Sequence, residues 1–106
     1  MNTGYKCVLE ECEMCKYFTA KENNKNYLEI HHLIPREFAN DFDAPIEILS
    51  NYVALCPYCH RMLHFAVDRK RIPALFYLLN KRKEELAKHG INIDIDFLKL
   101  LYNVEE

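Results

Sequence analysis

Hydrophobic and polar residues alternate from Tyr27 to His32, with Leu28 and Ile30 on one side and Tyr27, Glu29 and His31 on the other. A period of two over this stretch predicts a strand. Pro35 stops it from continuing as ladder or helix. Tyr52–Leu55 is a short apolar run that predicts an antiparallel partner for it. Residues 36–50, with four acids and Pro45, read as a connection of variable structure with Ile46, Ile48 and Leu49 tucked beneath. The Asn-rich residues 19–26 read as a turn or loop.

Residues 59–66 read as a helix that exposes His60 and His64, followed by a polar break from Asp68 to Arg71. Pro73 suits the first turn of the next helix and Gly90 the residue just past its end, with Lys88 and His89 in the last turn. Leu75, Leu78, Leu79 and Leu86 mark its inward face, while Lys81–Glu85 and Glu84–Lys88 are i,i+4 pairs on the outer one. Asp94 is placed to cap a last helix whose apolar stripe is Phe97, Leu98, Leu101 and Val104. The predicted class is α+β, a hairpin and helix followed by C-terminal helices.

With 106 residues, half of them hydrophobic, the chain has room for one domain, residues 1–106. So small a core profits from a metal staple. No apolar run approaches the roughly 20 residues that span a bilayer, and Met1–Lys6 lacks the pattern of a secretory signal. The expectation is a cytoplasmic protein with no membrane partner, where thiols stay reduced. Five cysteines, four of them in two Cys-x-x-Cys pairs, then favour metal over disulfides.

The net charge of −2 conceals a segregation. Residues 1–59 carry 5 basic and 9 acidic side chains, residues 91–106 carry 1 and 4, and residues 60–90 carry 8 and 3. The local charge after His60 is therefore +5, that is 8 minus 3. A phosphate backbone responds to the local patch, so the overall balance does not exclude DNA; the bland alternative is a solvated surface.

Cys12-x-x-Cys15 and Cys56-x-x-Cys59 together signal one tetrahedral zinc. The 40 residues between the pairs imply an inserted element, here the strand and loop carrying His31 and His32. Cys7 is left as a buried thiol or as an alternative ligand to Cys12. A redox role is set aside because neither pair sits at the strand-to-helix junction of a thioredoxin-like unit. Four of the five histidines fall in two clusters, and the His60-x-x-x-His64 spacing puts two rings on one helix face about a turn apart, where they can close on one metal. The pair His31-His32 could add a third ligand and a free base, which points to a metal-dependent hydrolase. The alternative, His60 or His64 completing a knuckle in place of a cysteine, stays open. His89 reads as a surface residue.

Glu29-Ile30-His31-His32-Leu33-Ile34-Pro35, then Asn51, then Leu55-Cys56-Pro57-Tyr58-Cys59-His60 and His64, resembles the HNH endonuclease family over residues 12–64. The resemblance implies a ββα-metal finger stapled by the knuckle pair, with a core over about residues 7–66 and a helical tail over about 73–104. It implies a structural Zn²⁺ on Cys12, Cys15, Cys56 and Cys59. It further implies one catalytic divalent ion (Mg²⁺, Mn²⁺, Ni²⁺ or Zn²⁺) on His31, His60 and His64. His32 is then the general base and Asn51 the residue that holds the base-bearing loop. Members with aspartate at the position of His31 supply a charged ligand; histidine leaves the site more cationic and favours softer metals than Mg²⁺. The segment from Arg71 to Tyr102 resembles the tail following such domains in some modification-dependent restriction enzymes.

The implied activity is hydrolysis of DNA phosphodiester bonds, as the nuclease part of a restriction system. Arg61, Arg69, Lys70 and Arg71, with Lys81, Arg82 and Lys83 beyond them, are the expected phosphate contacts. No target-reading domain is visible in the sequence, so specificity points to a second copy or to a recognition domain or subunit. The rival from another class is a non-catalytic zinc module binding nucleic acid or protein. Loss of His32 or of the histidine cluster would mark it, and both are intact.

Overall fold

The hairpin that carries the histidines is the centre of the fold. In the computed structural model, which describes residues 6–9, 15 and 17–104, β1 (Glu29–His32) pairs antiparallel with β2 (Tyr52–Leu55). The register sets Glu29 opposite Leu55, His31 opposite Val53 and His32 opposite Tyr52. Short 3-10 turns over Arg36–Asp41 and Leu49–Asn51 organise the connection that the sequence left irregular. Helix α1 (Pro57–Phe65) follows β2 directly, with Pro57 in its first turn, where a missing N–H costs nothing. This is the ββα unit of the expected α+β class.

Helix α2 (Asp68–Lys88) packs against α1, the Leu49–Asn51 turn and α3 (Ile95–Leu101). Its four marked leucines, Leu75, Leu78, Leu79 and Leu86, are all buried. The helix starts earlier than expected, however. The supposed polar break is its first turn, opened by Asp68 at the positive end of the helix dipole, and Pro73 lies inside the helix. The start is fixed by Arg71, whose side chain turns inward onto the Leu63 carbonyl and Asp68 instead of out to solvent.

At the other end Gly90 takes φ +84°, and the amides of Gly90 and Ile91 bond back to the carbonyls of Ala87 and Leu86. This double closure requires a left-handed residue after the helix, which glycine adopts without a steric penalty. Asp94 caps α3 by accepting from the Phe97 amide at 2.8 Å.

The strand's faces are reversed from the usual apolar-in rule. Ile30 is half exposed, while His31 on the other face is 3% exposed. The inward face of β1 is the polar one because it meets the histidine face of α1. Among the described residues, no helix is long and apolar enough to cross a membrane.

Candidate metal centre

Three histidine rings meet where β1 faces α1. The centroids of His31 and His60, and of His31 and His64, lie 5.1 Å apart, and those of His60 and His64 lie 5.0 Å apart. One ring nitrogen from each falls within 4.8 Å of the others. Nitrogen donors bound to one ion at about 2.0–2.1 Å sit roughly 3 Å from each other, so a small inward rotation of the rings closes the set. The donors fit an imidazole-preferring divalent ion. They line an open hollow of about 200 Å³ together with Ile30, His32, Pro35 and Arg36. The strand ends at His32, which lets two adjacent side chains reach the same hollow.

Electrostatics favours neutral rings at two of these histidines. Burial, reinforced by the neighbouring His64, His60 and His32, pushes the His31 imidazolium down to about 3, so the ring is neutral with a lone pair to offer. Partial desolvation also lowers His64, which stays exposed, with His60 and Arg71 adding to the effect.

Two carboxylates fix the orientation of their histidines. His60 Nδ1 lies 2.9 Å from Glu29, which leaves Nε2 to face a metal. His32 Nε2 lies 3.1 Å from Glu47, whose carboxylate also accepts from Tyr52 Oη at 2.8 Å and pairs with Arg36 at 3.1 Å. The His60 hydrogen bond holds the Glu29 carboxyl below the usual range, and those from Tyr52 and His32 do the same for Glu47. A carboxylate on the far nitrogen sets the tautomer and the ring orientation. The sequence pattern singles out neither acid. Glu29 opens the motif stretch and shares the His31 face, but neither fact alone gives it a role.

Asn51 is fully buried and spans the loop after the histidine pair. Its Oδ1 accepts from the Ile34 amide at 2.7 Å, and its Nδ2 donates to the carbonyls of Ile34 and Ile46 at 3.1 Å each. Asn51→Ala would strand three buried backbone groups. Each such loss costs about 1–3 kcal/mol, so the variant is expected to lose about 3 kcal/mol or more of stability in a denaturant titration.

Below the hairpin lies a sulfur cluster. The sulfurs of Cys7, Cys15, Cys56 and Cys59 lie within 4.8 Å of one another, with Cys15 and Cys59 at 3.5 Å. A tetrahedron with bonds of about 2.3 Å has sulfur–sulfur edges of about 3.8 Å, so the cluster could hold a structural metal. The expected quartet contained Cys12, which lies outside the described residues; among those described, the fourth thiol is Cys7. Residue 7 is brought there by a ladder-like bond from Val8 to the Ala54 carbonyl at 2.9 Å and by Tyr17 Oη on the Cys7 amide at 2.8 Å. A hydrogen bond from Cys59 pulls the Cys7 thiol down to about 5, while burial pushes Cys15 up. Sulfurs this close cannot all ionise without a cation between them. Cys56–Cys59 stands at the junction of β2 and α1, with the Cys56 sulfur accepting from the Cys59 amide at 3.4 Å. Its strand belongs to an antiparallel hairpin and two further thiols crowd it, so the unit is not thioredoxin-like and the four sulfurs could hold a structural metal.

The family model described as HNH endonuclease matches residues 12–66, which span the hairpin, α1 and both histidine pairs. The chain belongs to the HNH endonuclease family. It is 34% identical over 73 residues to the type IV methyl-directed restriction enzyme EcoKMcrA of Escherichia coli (strain K12). That similarity takes in 69% of this chain and 24% of the relative, so the matched part spans about a quarter of the relative's length. No solved structure gives a significant match.

Of the expected phosphate contacts, Arg61, Arg69 and Lys70 are exposed beside the HNH unit. Arg71 instead turns into the fold. Its guanidinium bonds to Leu63 O at 3.0 Å, to Asp68 at 3.2 Å and to the Tyr102 carbonyl, with an 11% exposed side chain. Lys81 sits over the Tyr77 ring, 5.2 Å from its centroid.

Proposed function

We propose that this HNH domain is a metal-dependent DNA endonuclease with His31, His60 and His64 as ligands of one catalytic divalent ion and His32 as general base. The observation that carries the reading is the triangle of imidazoles at the mouth of a hollow, with a fourth imidazole beside it already paired with a carboxylate. An ion held there would supply positive charge to a phosphoryl oxygen and to the leaving 3′ oxygen.

His32 supplies the proton acceptor. With its Nε2–H directed to Glu47, Nδ1 is the basic atom that takes a proton from the attacking water, and imidazole has the near-neutral basicity this requires. Asn51 holds the loop that follows the base. A structural Zn²⁺ on Cys7, Cys15, Cys56 and Cys59 pins the hairpin and α1 to the N-terminal segment. Arg61, Arg69 and Lys70 bind phosphates. The context is restriction of DNA, in line with the relative's description, and target choice comes from a second copy or a recognition domain or subunit.

Plasmid cleavage tests the reading. Chelator should abolish nicking, and Mg²⁺, Mn²⁺ or Ni²⁺ should restore it, with the softer ions working best. DNA binding that persists with no cleavage under any of these metals would leave only a zinc-bearing binding module. Binding should also fall steeply with salt. Reversing the charges of Arg69 and Lys70 should weaken it and flatten the salt slope by about one for each phosphate no longer neutralised. Unchanged affinity and slope would remove these residues from the DNA face.

A further inference from the structure

Beyond the family's own segment, the side chain of Tyr102 reaches the histidine cluster. Tyr102 follows α3 directly, is 6% exposed, and brings its hydroxyl to 2.7 Å from His31 Nε2. The same hydroxyl lies 2.6 Å from the Leu33 carbonyl and 3.4 Å from that of His32. A phenol has one proton and a carbonyl has none, so the short bond to Leu33 must use the phenol's proton. Toward His31 the phenol oxygen can then only accept. Nε2 must carry the hydrogen, and the His31 lone pair is confined to Nδ1.

We infer that Tyr102 is a positioning residue that selects the His31 tautomer presenting Nδ1 to the catalytic ion, which makes the C-terminal tail a working part of the metal centre. His31 thereby gains from a phenol what His60 gains from Glu29, a partner on the nitrogen turned away from the site. Arg71 anchors the device. It donates to the Tyr102 carbonyl, lies 5.9 Å from the centre of the ring, and ties both to the end of α1 through Leu63. This explains why one arginine of a basic run turns inward. Tyr102 lies 71 residues from His31 and outside residues 12–66, so the device is separate from the matched motif.

The inference rests on His31 being a ligand, but not on DNA cleavage. Two measurements test it on full-length protein with zinc in the cysteine site. Long-range ¹H–¹⁵N correlation without a second metal should show His31 protonated on Nε2 and bare on Nδ1. Titration with Co²⁺, followed by the visible absorption of an imidazole site, should show Tyr102→Phe binding roughly 10–100-fold more weakly than wild type. A proton on Nδ1 in the wild type overturns the assignment, and this spectrum decides even if the variant fails to fold. If His31→Ala loses Co²⁺ while a folded Tyr102→Phe binds it like wild type, the Tyr102 role falls and the metal-site reading stands. If His31→Ala also binds Co²⁺ like wild type, the metal-site reading falls and takes this inference with it.

Discussion

Replacing Cys56 and Cys59 together by serine is expected to leave the chain without zinc and largely unfolded. Both sulfurs are fully buried, between the end of β2 and the first turn of α1, where the hairpin and its helix are joined. Binding of a structural zinc contributes about 10–16 kcal/mol in small domains, which matches or exceeds the roughly 5–15 kcal/mol of net stability that a domain has. Loss of the site therefore removes the margin on which the fold stands. Circular dichroism and metal content measured on the same sample check this. A well-folded double variant, or folded wild-type protein free of zinc, would sink the idea. The single variants separate the two candidates for the fourth ligand. Cys7→Ser should lose zinc and Cys12→Ser should retain it, because Cys7 has the backbone bonds that hold its sulfur beside the other three.

The hairpin was legible because its signals are local. The alternation over Tyr27–His32, the stop at Pro35 and the apolar Tyr52–Leu55 run each act over a few residues, and the observed pairing uses these segments. The grouping of His60 with His64 was legible for the same reason, since helical spacing alone stacks them. Which side of β1 faces inward was not legible. Binary patterning assumes that Ile30 seeks the core, but the polar face is the buried one because its partner is a row of histidines rather than a leucine stripe.

Interactions that depend on the approach of distant elements were invisible for a different reason. Arg71 sits in a run of like charge, and nothing in its neighbourhood distinguishes it from Arg69 or Lys70. Its inward turn follows from α3 packing back on α2, which brings the Tyr102 carbonyl within reach. Glu47 lay in an insert read only as acidic and irregular. Its alignment with His32 arises because the Leu49–Asn51 turn folds the insert back beside the hairpin, where Tyr52 and Arg36 hold the carboxylate. The motif residues are thus those that a short spacing can group, and their supporting partners are those that only tertiary structure brings in.

His32→Ala is expected to keep fold, zinc and catalytic metal and to lose DNA cleavage by roughly 10²–10⁴-fold, the range for a missing general base. The proposed separation of roles rests on where the rings stand. His31, His60 and His64 form the triangle of donors, whereas His32 lines the same hollow outside that triangle, with its Nε2 committed to Glu47. Its removal would delete the proposed proton acceptor without opening the triangle. His60→Ala should behave differently, weakening metal affinity so that a higher metal concentration partly restores cleavage. Metal titrations of His31→Ala and His32→Ala, run beside single-turnover cleavage, decide which of the adjacent histidines is ligand and which is base. If His32→Ala loses the metal and His31→Ala keeps it, the two roles are reversed, and Glu47 rather than Tyr102 becomes the partner that orients a metal ligand.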